Sequence, residues 1–85
     1  MNKILVEIEC AANGKKYDFL LPAAMTVGAA RRKIVSEINE FENSRILFPD
    51  EENCYLAEKD HQEILNDKFT LAQAGVQGGN RLIIL

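Results

Sequence analysis

Two runs within the first 21 residues alternate between apolar and polar positions with the two-residue period of a β-strand. Between Lys3 and Cys10, one face carries Ile4, Val6, Ile8 and Cys10, and the other carries Lys3, Leu5, Glu7 and Glu9. A second alternating run, from Lys16 to Leu21, puts Tyr17, Phe19 and Leu21 on a shared face. Asn13-Gly14 separates the two runs and tolerates positive φ, which is a strong hairpin signal. The pattern predicts an antiparallel pair of strands.

The hydrophobic period changes to that of a helix after Pro22. Thr26 is placed to cap the helix, because its hydroxyl can accept a hydrogen bond from a free N–H group of the first turn. Apolar side chains then recur at spacings of three and four residues, at Val27, Ala30, Ile34, Ile38 and Phe41. Polar side chains occupy the opposite side, at Arg32, Lys33, Ser36, Asn39 and Glu40. We expect the apolar stripe to pack on the apolar face of the hairpin.

Shorter elements follow in the second half of the chain. Residues 45–48 are compatible with a short extended or helical piece ended by Pro49, and Asp50, Glu51 and Glu52 with a solvated turn. Residues 54–57 predict a third strand, Ile64-Leu65 a short fourth strand, and residues 81–85 the last strand. Thr70 is placed to cap a single helical turn ending at Gly75. Because the first and last strands are the longest apolar ones, we expect them to pair in parallel at the sheet centre.

These elements predict an α+β fold with one main helix packed on one face of a mixed four- to five-stranded sheet. A chain of 85 residues forms a single domain, residues 1–85, with no room for a second core. Its residues are 47% hydrophobic and 27% charged, which is typical of a domain that folds without a metal or disulfides.

The composition also excludes several classes of function. A net charge of -3 argues against nucleic-acid binding, which depends on Lys and Arg neutralising phosphates. No apolar run approaches the ~20 residues that span a bilayer, and no secretory signal is present, so we expect a cytoplasmic protein without membrane insertion. Cys10 and Cys54 are far apart, form no CxxC motif and are accompanied by a single histidine. We therefore expect reduced thiols and no metal or other cofactor.

The last sixteen residues, TLAQAGVQGGNRLIIL, carry a family resemblance through Thr70, Leu71, Ala74, Gly75, Val76, Gly79, Asn80, Leu82 and Ile84. With these residues the chain resembles the ubiquitin-like β-grasp superfamily, and within it the small bacterial YukD-type proteins encoded with type VII (WXG100) secretion machinery. The resemblance extends over nearly the whole chain and includes the strand Tyr17-Asp18-Phe19-x-Leu21. It implies a non-enzymatic accessory or regulatory component that binds protein partners, including secretion components.

Gly78-Gly79 is the feature that bears on conjugation. In conjugated ubiquitin-like proteins and related sulfur carriers, a diglycine forms the flexible C-terminus that is activated. Here strand-forming residues follow, and burying Leu82 and Ile84 would stabilise the fold by ~1.5 to 3 kcal/mol each. We expect the glycines to form a turn that needs positive φ. The alternative is a carrier or modifier whose tail is processed to the diglycine.

No residue pattern predicts an enzyme. His61 lies in a polar turn and is expected to be solvated, whereas Cys10 shares the apolar face of its strand and is expected to be buried. The consecutive acids at 50–52 do not line a cleft as paired catalytic carboxylates would. The basic cluster Arg31-Arg32-Lys33 is open to two interpretations, ordinary surface charge or a docking face for an acidic partner.

Strand parity predicts a candidate partner-binding surface. Leu5, Leu20, Ile83 and Leu85 are expected to face outward, on the side of the sheet away from the helix. Such aliphatic side chains gathered on a polar face indicate a contact surface, although scattered surface aliphatics are ordinary in soluble proteins. If these side chains form a contact surface, Ile83→Asp should abolish partner binding with little loss of stability.

Overall fold

The computed structural model describes residues 2–43 and 53–85. Its elements are β1 (Lys3–Cys10), β2 (Lys16–Pro22), α1 (Val27–Phe41), β3 (Leu56–Glu58), β4 (Glu63–Ile64) and β5 (Arg81–Ile84). The predicted α+β arrangement of one main helix and a mixed sheet is confirmed, and the described residues contribute five strands to the sheet. The expectations for residues 45–48, Pro49 and the acidic turn at 50–52 lie outside the described residues.

The strand order of the sheet is β2-β1-β5-β3-β4. β1 pairs with β2 in antiparallel register from Lys3↔Pro22 to Glu9↔Lys16. β1 pairs with β5 in parallel register from Glu7↔Arg81 to Cys10↔Ile84, and β3 is antiparallel to both β4 and β5. The expected parallel pairing of the first and last strands is therefore confirmed, and these two strands lie inside the sheet, with neighbours on both sides.

The hairpin between β1 and β2 turns where the sequence predicts. Gly14 has φ 73°, and its N–H donates to the Cys10 carbonyl at 2.8 Å. The Asn13 side-chain oxygen accepts a 2.9 Å hydrogen bond from the Lys15 N–H. Positive φ is needed at the glycine, while the asparagine contributes through its side chain.

The helix α1 begins at the predicted cap, since the Thr26 hydroxyl accepts a hydrogen bond from the Ala29 N–H at 3.2 Å. The predicted apolar stripe is buried at Val27, Ala30, Ile34 and Ile38. The prediction is wrong for Phe41, which is 78% exposed. Phe41 lies in the last turn of α1 and reaches the sheet edge, where its ring makes an edge-to-face contact with Tyr17 at 6.0 Å.

The hydrophobic core lies between α1 and the facing side of the sheet. Its sheet side chains belong to the face predicted from alternation, and α1 adds Val35 to the expected stripe. The buried core residues are Val6, Ile8, Cys10, Leu21, Val27, Ala30, Ile34, Val35, Ile38, Cys54, Leu56, Leu71, Val76, Leu82 and Ile84. Because successive strand residues point to opposite faces, this core fixes which side chains remain for the outer face of the sheet.

The segment between β4 and β5 forms the expected turn capped by Thr70, in which the Ala74 N–H donates to the Thr70 carbonyl at 2.9 Å, the hydrogen bond of a single helical turn. Thr70 and Gln73 cap each other, because each side-chain oxygen accepts from the other residue's backbone N–H, at 2.9 and 3.0 Å. Gly75 ends the turn with φ 83°. Leu71 and Val76 are buried on either side, so this turn closes one end of the core.

Candidate functional site: the outer face of the sheet

The sheet face away from α1 carries the four side chains predicted to bind a partner. Leu5, Leu20 and Leu85 are 53%, 57% and 48% exposed, while Ile83 is partly buried. Leu82 and Ile84, which precede and follow Ile83 in the chain, are fully buried on the helix side. The outward orientation predicted by alternation therefore agrees with the structure at all four positions.

Leu5 and Leu20 are direct cross-strand neighbours on β1 and β2. The hydrogen bond from the Cys10 N–H to the Lys15 carbonyl, at 2.8 Å, fixes which pairs of this ladder are hydrogen-bonded. By alternation, Leu5 and Leu20 form a non-hydrogen-bonded pair, the kind in which side chains approach most closely. Together with the neighbouring pair Glu7 and Asp18, they form what we term the β1–β2 patch.

Ile83 and Leu85 belong to a second group at the other end of the face. Leu85 and Tyr55 exchange backbone hydrogen bonds of 2.8 and 3.1 Å, and Ile83 is aligned with Ala57. Ala57 is in turn aligned with Ile64 on β4. We term Tyr55, Ala57, Ile64, Ile83 and Leu85 the β3–β5 patch.

Tyr55 and Ile64 are exposed members of the outer face that the sequence analysis missed. The signal for Tyr55 was its alternation with the buried Leu56. Ile64 lies in a strand of two residues, which is too short for a period to be visible.

The predicted residues therefore form two patches rather than one. In the parallel register, Ile83 is aligned with Glu9, four positions along β1 from Leu5, which corresponds to ~13 Å. A charged row lies between the patches, since Glu7 is aligned with Asp18 on β2 and with Arg81 on β5. The expectation of a single cluster of four aliphatics needs this correction.

An ion pair between Lys59 and Glu9 crosses the sheet beside Ile83. Glu9 lies on β1 and Lys59 follows β3, and both strands flank β5. The hydrogen bond from Lys59 lowers the pKa of Glu9. This ion pair spans β5 on the outer face, next to the partly buried Ile83.

The glycine pair is held against β1. Gly79 has φ 88°, and its N–H donates to the Leu5 carbonyl at 2.8 Å. The Asn80 carbonyl accepts from the Glu7 N–H at 3.1 Å. The expected turn with positive φ is confirmed at Gly79, and it leads directly into the buried strand β5.

The candidate nucleophile and base lie in different environments. Cys10 is fully buried in the core, whereas His61 is exposed beside Glu58, with 2.6 Å between His61 Nδ1 and Glu58 Oε2. The hydrogen bond to Glu58 raises the pKa of His61. Cys54 is also buried and is not part of a disulfide. These positions agree with the expected solvated histidine and buried cysteine.

Among residues 2–43 and 53–85, no three His, Cys, Asp or Glu side chains are grouped so that they could hold a metal ion. In the same ranges, no helix is both long and apolar enough to cross a membrane.

The basic cluster at the start of α1 is not a uniform surface. The side chain of Arg31 is only 4% exposed and forms a 3.1 Å ion pair with Asp67. Lys33 pairs with Glu37 one turn later, at 3.0 Å. Because Arg31 is buried, the docking interpretation of the cluster is wrong for this residue.

A family profile accounts for nearly all of the chain. The profile described as "WXG100 protein secretion system (Wss), protein YukD" matches residues 5–84. This chain belongs to the YukD family. No curated protein sequence shows a significant match to this YukD-family chain.

Solved structures with low sequence identity share the fold. The EccD5 ubiquitin-like domain from Mycobacterium xenopi matches with a TM-score of 0.79 and 18% identity, over 100% of this chain and 94% of that domain. The ubiquitin-like domain of the Mycobacterium tuberculosis type VII secretion system protein EccD1 matches with a TM-score of 0.73 and 21% identity, over 100% and 99%. The predicted ubiquitin-like β-grasp fold is thereby confirmed.

A third structure places the same fold inside a larger protein. A chain of the MycP5-free ESX-5 inner membrane complex, State II, matches all of this YukD-family chain with a TM-score of 0.78 and 18% identity. Only 21% of that longer chain is covered. The similarity therefore concerns one domain of that component.

Proposed function

We propose that this YukD-family domain is a non-enzymatic interaction module of a WXG100 (type VII) secretion system, which binds protein partners non-covalently through the outer sheet face. The observation that carries the proposal is a set of large, exposed apolar side chains on that face: Leu5, Leu20, Tyr55, Ile64 and Leu85. Single exposed aliphatics are ordinary. Here they are grouped in the two patches, with Leu5 beside Leu20 and Leu85 beside Tyr55, and grouped apolar side chains are expected of a contact surface.

The solved structures support the choice of partner class. Domains of this fold occur in the secretion protein EccD1 and in an inner membrane complex. We infer that the partners of this chain are components of the secretion machinery, met in the cytoplasm, and that nucleic acid is not among them.

The alternative function is a carrier or modifier activated at a processed diglycine. The structure offers a physical argument against it, because Leu82 and Ile84 follow Gly79 and are fully buried in an interior strand. Freeing Gly79 would break its hydrogen bond to Leu5 and expose both side chains to water. Each exposure costs ~1.5 to 3 kcal/mol, a large share of the stability of a small domain.

A complementation experiment tests the leading proposal. In the native host, the gene is deleted and replaced by wild type, Leu20→Asp, Leu85→Asp or the control Ser36→Asp, which lies on the exposed side of α1. We expect the deletion to reduce WXG100 proteins in the culture medium, with rescue by wild type and Ser36→Asp. At least one outer-face variant should fail to rescue while remaining folded by circular dichroism. Full rescue by both would contradict the proposal.

Intact-mass spectrometry separates the two functions. The protein isolated from its own cells should keep the mass of the unmodified chain. Trimming to Gly79, or an adduct at that carboxylate, would favour the carrier instead.

A further inference from the structure

Glu7 and Asp18 form a carboxylate pair on the outer face, with no cationic partner in the part of the chain that the structure describes. They are direct cross-strand neighbours, in the same kind of non-hydrogen-bonded pair as Leu5 and Leu20. Like charges directly opposite each other destabilise a sheet. Across residues 2–43 and 53–85, neither side chain forms an ion pair or a hydrogen bond. Arg81 is aligned with Glu7, but it donates to Asp60 at 3.0 Å.

The adjacent row of the same face is neutralised. Glu9 forms an ion pair with Lys59 across β5, and Lys16 on β2 is aligned with Glu9. On the other side of the carboxylate pair lie the exposed Leu5 and Leu20. The β1–β2 patch thus combines an apolar pair with an acidic pair, and Lys16 bounds it at one end.

We propose that the β1–β2 patch binds a partner segment that places a Lys or Arg side chain between Glu7 and Asp18 and an aliphatic side chain on Leu5 and Leu20. This inference rests on the proposed function and specifies the chemistry of its partner. Charge complementarity selects the cation, because it removes the repulsion between the two carboxylates. The two rows are two residues apart along the strands, so the cation and the aliphatic group lie ~7 Å apart.

A binding role and a structural role of the two carboxylates predict different effects on stability. If the carboxylates stabilised the sheet, removing them would lower the melting temperature. If they are kept for binding, Glu7→Gln/Asp18→Asn should leave the melting temperature unchanged or raise it by a few degrees. The same double variant should bind its partner more weakly.

The test uses a phage-displayed library of random 12-residue peptides selected on the immobilised wild-type chain. Enriched peptides are synthesised and their Kd values measured against wild type, Glu7→Gln/Asp18→Asn, Leu20→Ser and the control Lys16→Gln. We expect Lys or Arg next to aliphatic residues in the enriched peptides. The carboxylate double variant should lose about fivefold or more in affinity, and the loss should shrink at high salt. Lys16→Gln should bind at least as well as wild type.

Each other outcome counts against the proposal in a defined way. No enrichment, enrichment of acidic peptides, or equal affinity for the double variant would overturn it. If Leu20→Ser loses binding while the carboxylate variant does not, the outer face is used and only the charge inference fails. If neither Leu20→Ser nor the carboxylate double variant changes the Kd, the β1–β2 patch is not a binding surface. A dimer seen by sedimentation that the double variant abolishes would make a second copy of this chain the occupant, and would also overturn the proposal.

Discussion

The hydroxyl of Tyr17 on β2 donates a 2.5 Å hydrogen bond to Glu42, the residue that follows α1. Glu42 also accepts from Lys15 Nζ at 3.0 Å, and Asn13 donates to the Tyr17 hydroxyl at 3.0 Å. The hairpin turn and the end of the helix are joined by this network. A carboxylate at a helix C-terminus opposes the macrodipole, so its two donors offset an unfavourable position.

The pH dependence of stability should change when Tyr17 is replaced by Phe. The hydrogen bonds from Tyr17 and then Lys15 lower the pKa of Glu42 below its ordinary value of 4.5. A lowered pKa in the folded state contributes stability above pH 4.5, and this contribution is lost as the pH falls through the folded-state pKa. Tyr17→Phe should therefore lower the free energy of unfolding near pH 7, and the loss should shrink as the pH falls below 4.5. Thermal unfolding followed by circular dichroism between pH 3 and pH 8 measures the difference.

Tyr55→Phe is the matched control for this prediction, because the exposed Tyr55 makes no side-chain hydrogen bond within the described residues. Its melting temperature should follow that of wild type at every pH. A Tyr17→Phe deficit that stays constant from pH 7 to pH 3 would show that lost packing, rather than the bond to Glu42, causes the change.

The two adjacent glycines should respond differently to alanine. A Cβ at Gly79 meets no atom within 4 Å, so the cost of Gly79→Ala is conformational and arises from φ 88°. We expect a loss of about 1 to 2 kcal/mol. Gly78 has the same open surroundings but no positive φ, so Gly78→Ala should be neutral or stabilise by about 0.4 to 1 kcal/mol. Urea unfolding of both variants measures the contrast, and equal losses would contradict the conformational explanation.

The sequence predicted the faces of the strands because the two-residue period assigns every side chain of β1, β2 and β5 to one side. The buried face of α1 was predicted less completely. The apolar stripe at spacings of three and four residues did not include Val35 and Arg31, and both are buried. The burial of Arg31 depends on Asp67, 36 positions further along the chain. Such a long-range ion pair leaves no periodic signal in the sequence.

At the candidate site, the sequence predicted the face on which each side chain lies but not the register between neighbouring strands. Alternation correctly placed Leu5 and Ile83 outward, but it carries no information on how far one strand is displaced along its neighbour. The parallel pairing aligns Ile83 with Glu9, which separates the two patches. The like-charged pair Glu7 and Asp18 is likewise a consequence of register, and only the structure reveals it.

Asp67 and Asp60 are about equally exposed, at 53% and 51% of their side chains, but their arginine partners differ in burial. Asp67 pairs with Arg31, whose side chain is 4% exposed, whereas Asp60 pairs with Arg81, and both of those side chains are about half exposed. Asp67→Ala removes a charged acceptor from a buried guanidinium and should cost about 1 to 3 kcal/mol. Asp60→Ala should cost less than about 1 kcal/mol, because water and salt screen the exposed pair. Denaturant unfolding of the two variants measures both values, and a cost for Asp60→Ala as large as that for Asp67→Ala would be inconsistent with this account.

Ile83 and Leu85 should differ in how well they tolerate a charge, although both face outward. Ile83 lies between Glu9 and Ala57 in the interior of the sheet, beside the Lys59–Glu9 ion pair. Ile83→Asp places a carboxylate next to Glu9 and partly out of water, so we expect a loss of about 2 kcal/mol. This differs from the sequence-based expectation of little loss. Leu85 lies beyond the end of β5 and is half exposed, so Leu85→Asp should cost less than about 1 kcal/mol of stability. Melting temperatures of the two variants measure this difference. If Ile83→Asp is the less stable variant, as expected, Leu85 is the residue with which to test the β3–β5 patch. Equal stabilities would contradict this expectation and would make Ile83 usable as a binding probe.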